Sequence, residues 1–242
     1  MGKSLDYLSK RVNTVSFDEN LFRIYVGEDK YIFGAILSVS QRNGKPDFFA
    51  ISTLYNSIVD LNEKIQLSFE MAAKCNPSES LDNHILFGKP QENEVVATYY
   101  IENMVFRTQI LWDMIAQLYN IYWCINKPID RIYAEQFFND CAQGKKAKET
   151  AKTIHSYFIQ DDAVKGDCEP WDGNHKYVKD YRNQLTHRTS PNISSFSSIA
   201  KELRPPAMFV LKRVTEDYLQ AVEFIHIALD EISKEFSKIV TL

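Results

Sequence analysis

LKRVTEDYLQAVEFIHIALDEISKEFSKI, residues 211–239, keeps apolar side chains at Leu211, Val214, Tyr218, Val222, Ile225, Leu229, Ile232, Phe236 and Ile239. Steps of three and four are those of one helical face, because each residue of an α-helix advances by about 100°. The near-heptad stripe runs for about eight turns. A helix of that length with an apolar stripe gains its stability by laying the stripe against other helices. The stretch therefore sets the expected fold as mainly α, a helical bundle.

The same period recurs upstream. Ile51, Leu54, Ile58, Leu61, Ile65, Phe69 and Ala72 mark a helix entered at Pro46 and ended by Asn76-Pro77. A second long helix is expected over about 93–125, with a stripe of Val96, Tyr100, Met104, Leu111, Ile115, Leu118 and Tyr122. A shorter helix covers about 129–142, Gly144 breaks it, and KKAKETAKTIHSYFIQ (145–160) forms another. A helix over about 174–189 stops at Ser190-Pro191, and a Ser-rich loop and Pro205-Pro206 lead to the last helix, 207–239. LFRIYVGEDKYIFGAILSV (21–39) is different. It is rich in β-branched and aromatic residues around a Gly27-Glu28-Asp29 break, so it reads as a β-hairpin. The expected organisation is a β-hairpin element over 1–45 and a helical bundle over 46–242.

With only eight Gly and eight Pro, the 242-residue chain has few breaks, which favours long helices. The formal charge of −4 excludes a basic protein that coats nucleic acid, so any RNA would be held by a local patch. Cys75, Cys124, Cys141 and Cys168 are far apart and lack zinc-ligand spacing, the pattern of a reduced, cytoplasmic protein without metal or cofactor. The N-terminal MGKSLDYLSKRV has no apolar signal core, and Arg107 and Asp113 interrupt the most apolar run, so no membrane span is expected.

One stretch carries chemistry: KDYRNQLTHRTSP, residues 179–191. Val178, Tyr181 and Leu185 form its apolar stripe. Arg182 lies at the edge of that stripe, while Asn183 and His187 share the face pointing away and are close enough to touch. Arg182 and His187 are about 140° apart around a regular helix, so a second chain or a loosened last turn is needed to bring them together. Arginine offers a planar, permanently charged fork for a phosphate. Histidine moves protons near neutral pH. A solvated cap at a helix end would carry the same residues, and the Arg-x4-His spacing alone leaves both readings open.

Arg182-Asn183-Gln184-Leu185-Thr186-His187, followed by one long helix, resembles the signature of the HEPN superfamily. That resemblance implies a HEPN-like bundle of four or five helices, dimerised so that two motifs share a cleft. It implies a metal-independent endoribonuclease of a toxin–antitoxin or antiphage system, with Arg182, Asn183 and His187 catalytic. The alternative it leaves is a non-catalytic HEPN dimer that binds RNA, a nucleotide or a partner protein such as an antitoxin. Tyrosine modification, known for one subgroup, is not expected because Thr189 stands two residues after His187.

Arg107, three after Met104 and four before Leu111, is expected on an apolar stripe, where a charge needs a partner or a cleft. It is a candidate phosphate contact together with Lys179 and Arg188, although a structural salt bridge to another helix is the simpler explanation of Arg107. Glu102 or Asp113 would orient His187 or pair with Arg107. His84, His155, His175 and His226 are scattered and read as structural.

Overall fold

A computed structural model describes residues 2–18, 21–22, 47–77, 90–144, 148–187, 190–196 and 201–240; the side chains of 48, 187, 195–196, 201–202 and 235–240 lie outside the description. Among these residues the chain is mainly helical. Seven α-helices follow one another: α1 Lys3–Val12, α2 Phe48–Lys74, α3 Glu92–Tyr122, α4 Ala134–Gln143, α5 Glu149–Phe158, α6 Asn174–His187 and α7 Ala207–Val240. A 3-10 turn, Ile129–Arg131, precedes α4. Between α6 and α7 two short strands, β1 (Ser195–Phe196) and β2 (Lys201–Glu202), pair antiparallel with Ser195 opposite Glu202.

The local causes are plain in sequence. Asp47 caps α2 by accepting from the Ala50 N–H at 3.2 Å, satisfying one of the donors that a helix start leaves open. Glu92 and Glu94 place negative charge at the positive end of α3. Pro206 opens α7, its carbonyl accepting from Phe209 N–H at 3.0 Å. The connection from α5 to α6 is held by an isolated antiparallel bridge between Ala163 and Asp172. Gly173, at φ +73°, turns the chain into α6. A Cβ there would stand 2.7 Å from Asp162 Cα, so glycine is required by both conformation and space.

Helix α3 is the centre of the bundle. It packs on α2, α7, α4 and α6, and α7 in turn carries α6 and α1. The stripe of α7 enters the core as expected, with Leu211, Val214, Tyr218, Val222, Ile225, Leu229 and Ile232 all buried. Each such side chain stabilises the fold by about 1.5–3 kcal/mol relative to exposure. On α3 the buried register at the start runs through Ala97 and Ile101, not Val96 and Tyr100, since Val96 is exposed and Tyr100 half-buried.

One expectation about the N-terminus is corrected, and another falls mostly outside the described residues. Residues 3–12, placed by the sequence reading within a β element, form α1, which buries Leu5, Leu8 and Val12. The spacing 5-8-12 is helical, and the hydrophobic face it builds is covered by α7. The β-hairpin over 21–39 is not supported. Leu21 and Phe22 form a turn and the rest of that segment lies outside the described residues.

Candidate functional site

Helix α6 seats its inner face through Asn174, His175, Val178 and Tyr181, all buried. Arg182 continues that row four residues after Val178 and is half-buried. Its Nε is shielded from solvent and has no hydrogen-bond partner among the described residues. Facing it from α3 is Asp113. The Asp113 Oδ1 accepts from the Ala134 N–H at 2.9 Å and so caps the start of α4. Burial raises the Asp113 carboxyl above its usual range, and the Ala134 N–H, Arg182 and His175 offset part of that rise. The Nε2 amide of Gln109, one turn earlier on α3, is likewise buried and unpartnered. Arg182 on α6 and Gln109 on α3 thus each hold a shielded N–H donor without an acceptor among the described residues.

Beside Arg182, α6 is tied to α3 by a short relay. The Tyr181 hydroxyl donates to Asn192 Oδ1 and the Asn192 amide donates to Glu102 Oε1, each at 2.5 Å. Burial raises the Glu102 carboxyl, and the Asn192 amide offsets part of the shift. Glu102 therefore fixes the segment after α6, and pairs neither with Arg107 nor, among the described residues, with a histidine.

The remaining expected site residues are dispersed. Asn183 is half-buried on α6 beside Arg182. The Thr186 hydroxyl donates back to the Arg182 carbonyl at 3.1 Å, which leaves that turn regular. His187 is the last residue of α6; its side chain, and the whole of Arg188, lie outside the described residues. Lys179 is engaged in an ion pair with Glu135 of α4. Arg107 is off the buried stripe. It is half-buried and turns back on its own helix, donating to the Asn103 side chain at 2.8 Å and the Asn103 carbonyl at 3.1 Å. The structure thus sets Arg182 within electrostatic reach of Asp113, turns Arg107 back on its own helix and ties Lys179 to α4.

Beneath the start of α6 lies a polar network that the sequence reading missed. Lys212, Arg213, Thr215, Glu216 and Asp217 on α7 are all buried. Asp217 Oδ1 accepts from Trp112 Nε1 at 3.1 Å, Tyr157 OH at 3.0 Å and His175 Nδ1 at 3.3 Å. The His175 tautomer with its proton on Nδ1 is the one that lets the ring donate in that contact. Burial, followed by the Asp217 charge, pushes the Tyr157 hydroxyl well above its usual value. Glu216 accepts from Trp171 N–H at 2.9 Å, from the Asn174 amide at 3.1 Å and from Lys212 at 2.8 Å. Arg213 donates to the Asp172 carbonyl at 2.8 Å and to Asp162 at 2.5 Å. The network clamps the 159–173 connection and the α6 N-terminus onto α7, and so fixes the helix that carries Arg182. The available signal was the run K-R-V-T-E-D itself, because polar or charged residues at every position between Leu211, Val214 and Tyr218 leave no single face for water.

Among the described residues no group of three or more His, Cys, Asp or Glu is placed to hold a metal ion, and no helix is long and apolar enough to cross a membrane. No family model, curated protein or solved structure matches this chain.

Proposed function

We propose that this chain is a HEPN-like, metal-independent endoribonuclease that works as a homodimer. The observation that carries the reading is the state of Arg182. A guanidinium Nε–H held away from water without an acceptor is costly to leave unmet, and a phosphate oxygen is the acceptor that its fork geometry suits best. Asn183 and His187 follow on the same last turn and a half.

In this reaction the RNA supplies its own nucleophile. The 2′-hydroxyl attacks the adjacent phosphorus, the bond to the 5′-oxygen breaks, and the products are a 2′,3′-cyclic phosphate and a 5′-hydroxyl. His187 moves the proton, Arg182 stabilises the charge that builds on the phosphoryl oxygens, and Asn183 orients His187 or a phosphate oxygen. The five-residue spacing separates Arg182 from His187 on one helix, and a two-fold dimer supplies the complementary half from the other chain. Exposed Phe106 and Ile110 on α3 offer apolar surface for that contact.

The test is incubation of pure protein with mixed RNA in EDTA. Wild type is expected to yield 2′,3′-cyclic ends, and His187→Ala and Arg182→Ala to lose at least about a hundredfold in rate. Mixing the two variants restores part of the activity if residues of both chains share one site. Equal inertness of wild type and variants across several RNAs sinks the catalytic reading. RNA binding that persists in His187→Ala and vanishes in Arg182→Ala would then favour a binding module.

A further inference from the structure

A cavity of about 270 Å³ opens between the start of α3, the residue before α7 and the segment after α6. It is lined by Glu94, Val95, Tyr99 and Glu102 of α3, by Asn192, and by Arg204 and Pro205. Drug-sized ligands occupy about 300–1,000 Å³, so this volume suits a single heterocycle. Among the described residues its charged lining is Glu94, Glu102 and Arg204. Arg204 is 8% exposed and lies 3.6 Å from Glu94. The Glu102 carboxylate calls for an occupant that presents N–H donors. Val95, Tyr99 and Pro205 give it flat apolar walls, with the Tyr99 ring 62% exposed at the rim.

We infer that this cavity is a base-recognition pocket that takes guanine, an inference that rests on the reading of the chain as an RNA-cleaving protein. Guanine alone among the RNA bases presents two adjacent N–H donors on one edge, N1–H and N2–H, and two acceptors, O6 and N7, on another. The Glu102 carboxylate accepts the first pair; Asn192 holds only its Oε1. Adenine would turn a ring-nitrogen lone pair toward the same carboxylate. Tyr99 supplies a ring for the base to stack on, an interaction open to any base, so discrimination falls to Glu102. The relay from Glu102 through Asn192 to Tyr181 ties the pocket to the residue before Arg182. A seated guanine would therefore place a neighbouring phosphate along α6.

The experiment is calorimetric titration of the full chain with guanosine, adenosine, cytidine and uridine, alongside sequencing of the ends left on mixed RNA. Guanosine is expected to bind at least about tenfold more tightly than the other three, the discrimination that one bidentate pair supplies. Glu102→Gln should lower guanosine affinity about tenfold with an unchanged thermal melt, and Tyr99→Ala, at the rim, should weaken it about fivefold or more. Arg182→Ala should leave guanosine binding intact. Equal affinity for all four nucleosides, no binding, or preference for spermidine over guanosine overturns the pocket. Guanosine binding without RNA cleavage keeps the pocket and sinks the ribonuclease. Cleavage without base preference, together with no guanosine binding, does the reverse.

Discussion

Replacing Asp217 by alanine strands three buried donors at once. Trp112 Nε1, Tyr157 OH and His175 Nδ1 all converge on Oδ1, at 3.1, 3.0 and 3.3 Å, and both Asp217 and Trp112 are essentially closed to water. Each donor left without an acceptor costs about 1–3 kcal/mol, and removing one member of a buried charged network costs about 3–5 kcal/mol. The two estimates overlap near 4 kcal/mol, a large part of the ~5–15 kcal/mol that holds a domain together. Asp217→Asn should be milder, because its carbonyl oxygen still accepts. It sets an amide where Oδ2 now has no partner, so a cost of about 1–3 kcal/mol is expected from that group alone. Urea unfolding followed by circular dichroism reads both. Adding Tyr157→Phe to Asp217→Ala removes one stranded hydroxyl and should give a coupling energy of about 1 kcal/mol or more. An Asp217→Ala cost below about 1 kcal/mol, given the donors it strands, would refute the reasoning. An Asn variant as damaged as the Ala variant would assign the cost to lost charge and not to lost acceptors.

Leu8→Ala should destabilise by about 2–5 kcal/mol in the same assay, because the side chain is fully enclosed where α1 meets α7; a change under about 0.5 kcal/mol, the range of ordinary surface substitutions, would mean that α1 is not docked in solution. Gly173→Ala should cost at least about 1–2 kcal/mol from the left-handed backbone alone, with the close approach to Asp162 adding to it; a neutral melt contradicts this. Asp113→Asn tests the sign of a buried carboxylate. Burial lifts the folded carboxyl above its unfolded value, so the folded state binds the proton more readily, and the burial penalty is full above the folded pKa and absent below the unfolded one, about 3.9. The Asn variant keeps an acceptor for Ala134 N–H and should be as stable as wild type or more so at neutral pH, with the gap closing as pH falls toward that unfolded value. A variant less stable at neutral pH would mean that the attraction of the Asp113 charge to Arg182 and His175 outweighs burial.

The bundle was legible because helical periodicity is local. The stripes of residues 51–72 and 211–232 name their own buried faces, and the breaks at Asn76-Pro77 and before Pro205-Pro206 fall where the helices end or begin. α1 escaped because ten residues with three apolar positions give a weak signal, and only the surface of α7 makes that face worth burying. Arg107 was misplaced for a related reason. A shift of one residue, about 100° around the helix, decides whether a side chain meets the core, and the packing of α3 on α2 and α7 chose a row through Ala97, Ile101 and Val105.

The sequence by itself determined the helices after α1, their order and the Arg182-Asn183-x3-His187 turn, because each depends on residues within a few positions of one another. Tertiary structure alone decided that the Lys212–Asp217 run is interior, since its burial depends on the 159–173 connection folding over α7 and offering the carbonyls of Asp167, Glu169 and Asp172 to Lys212 and Arg213. It also decided that Arg182 faces Asp113, and that Glu102, Asn192 and Arg204 line one cavity. Such meetings are separated by tens of residues along the chain, and no periodicity encodes them.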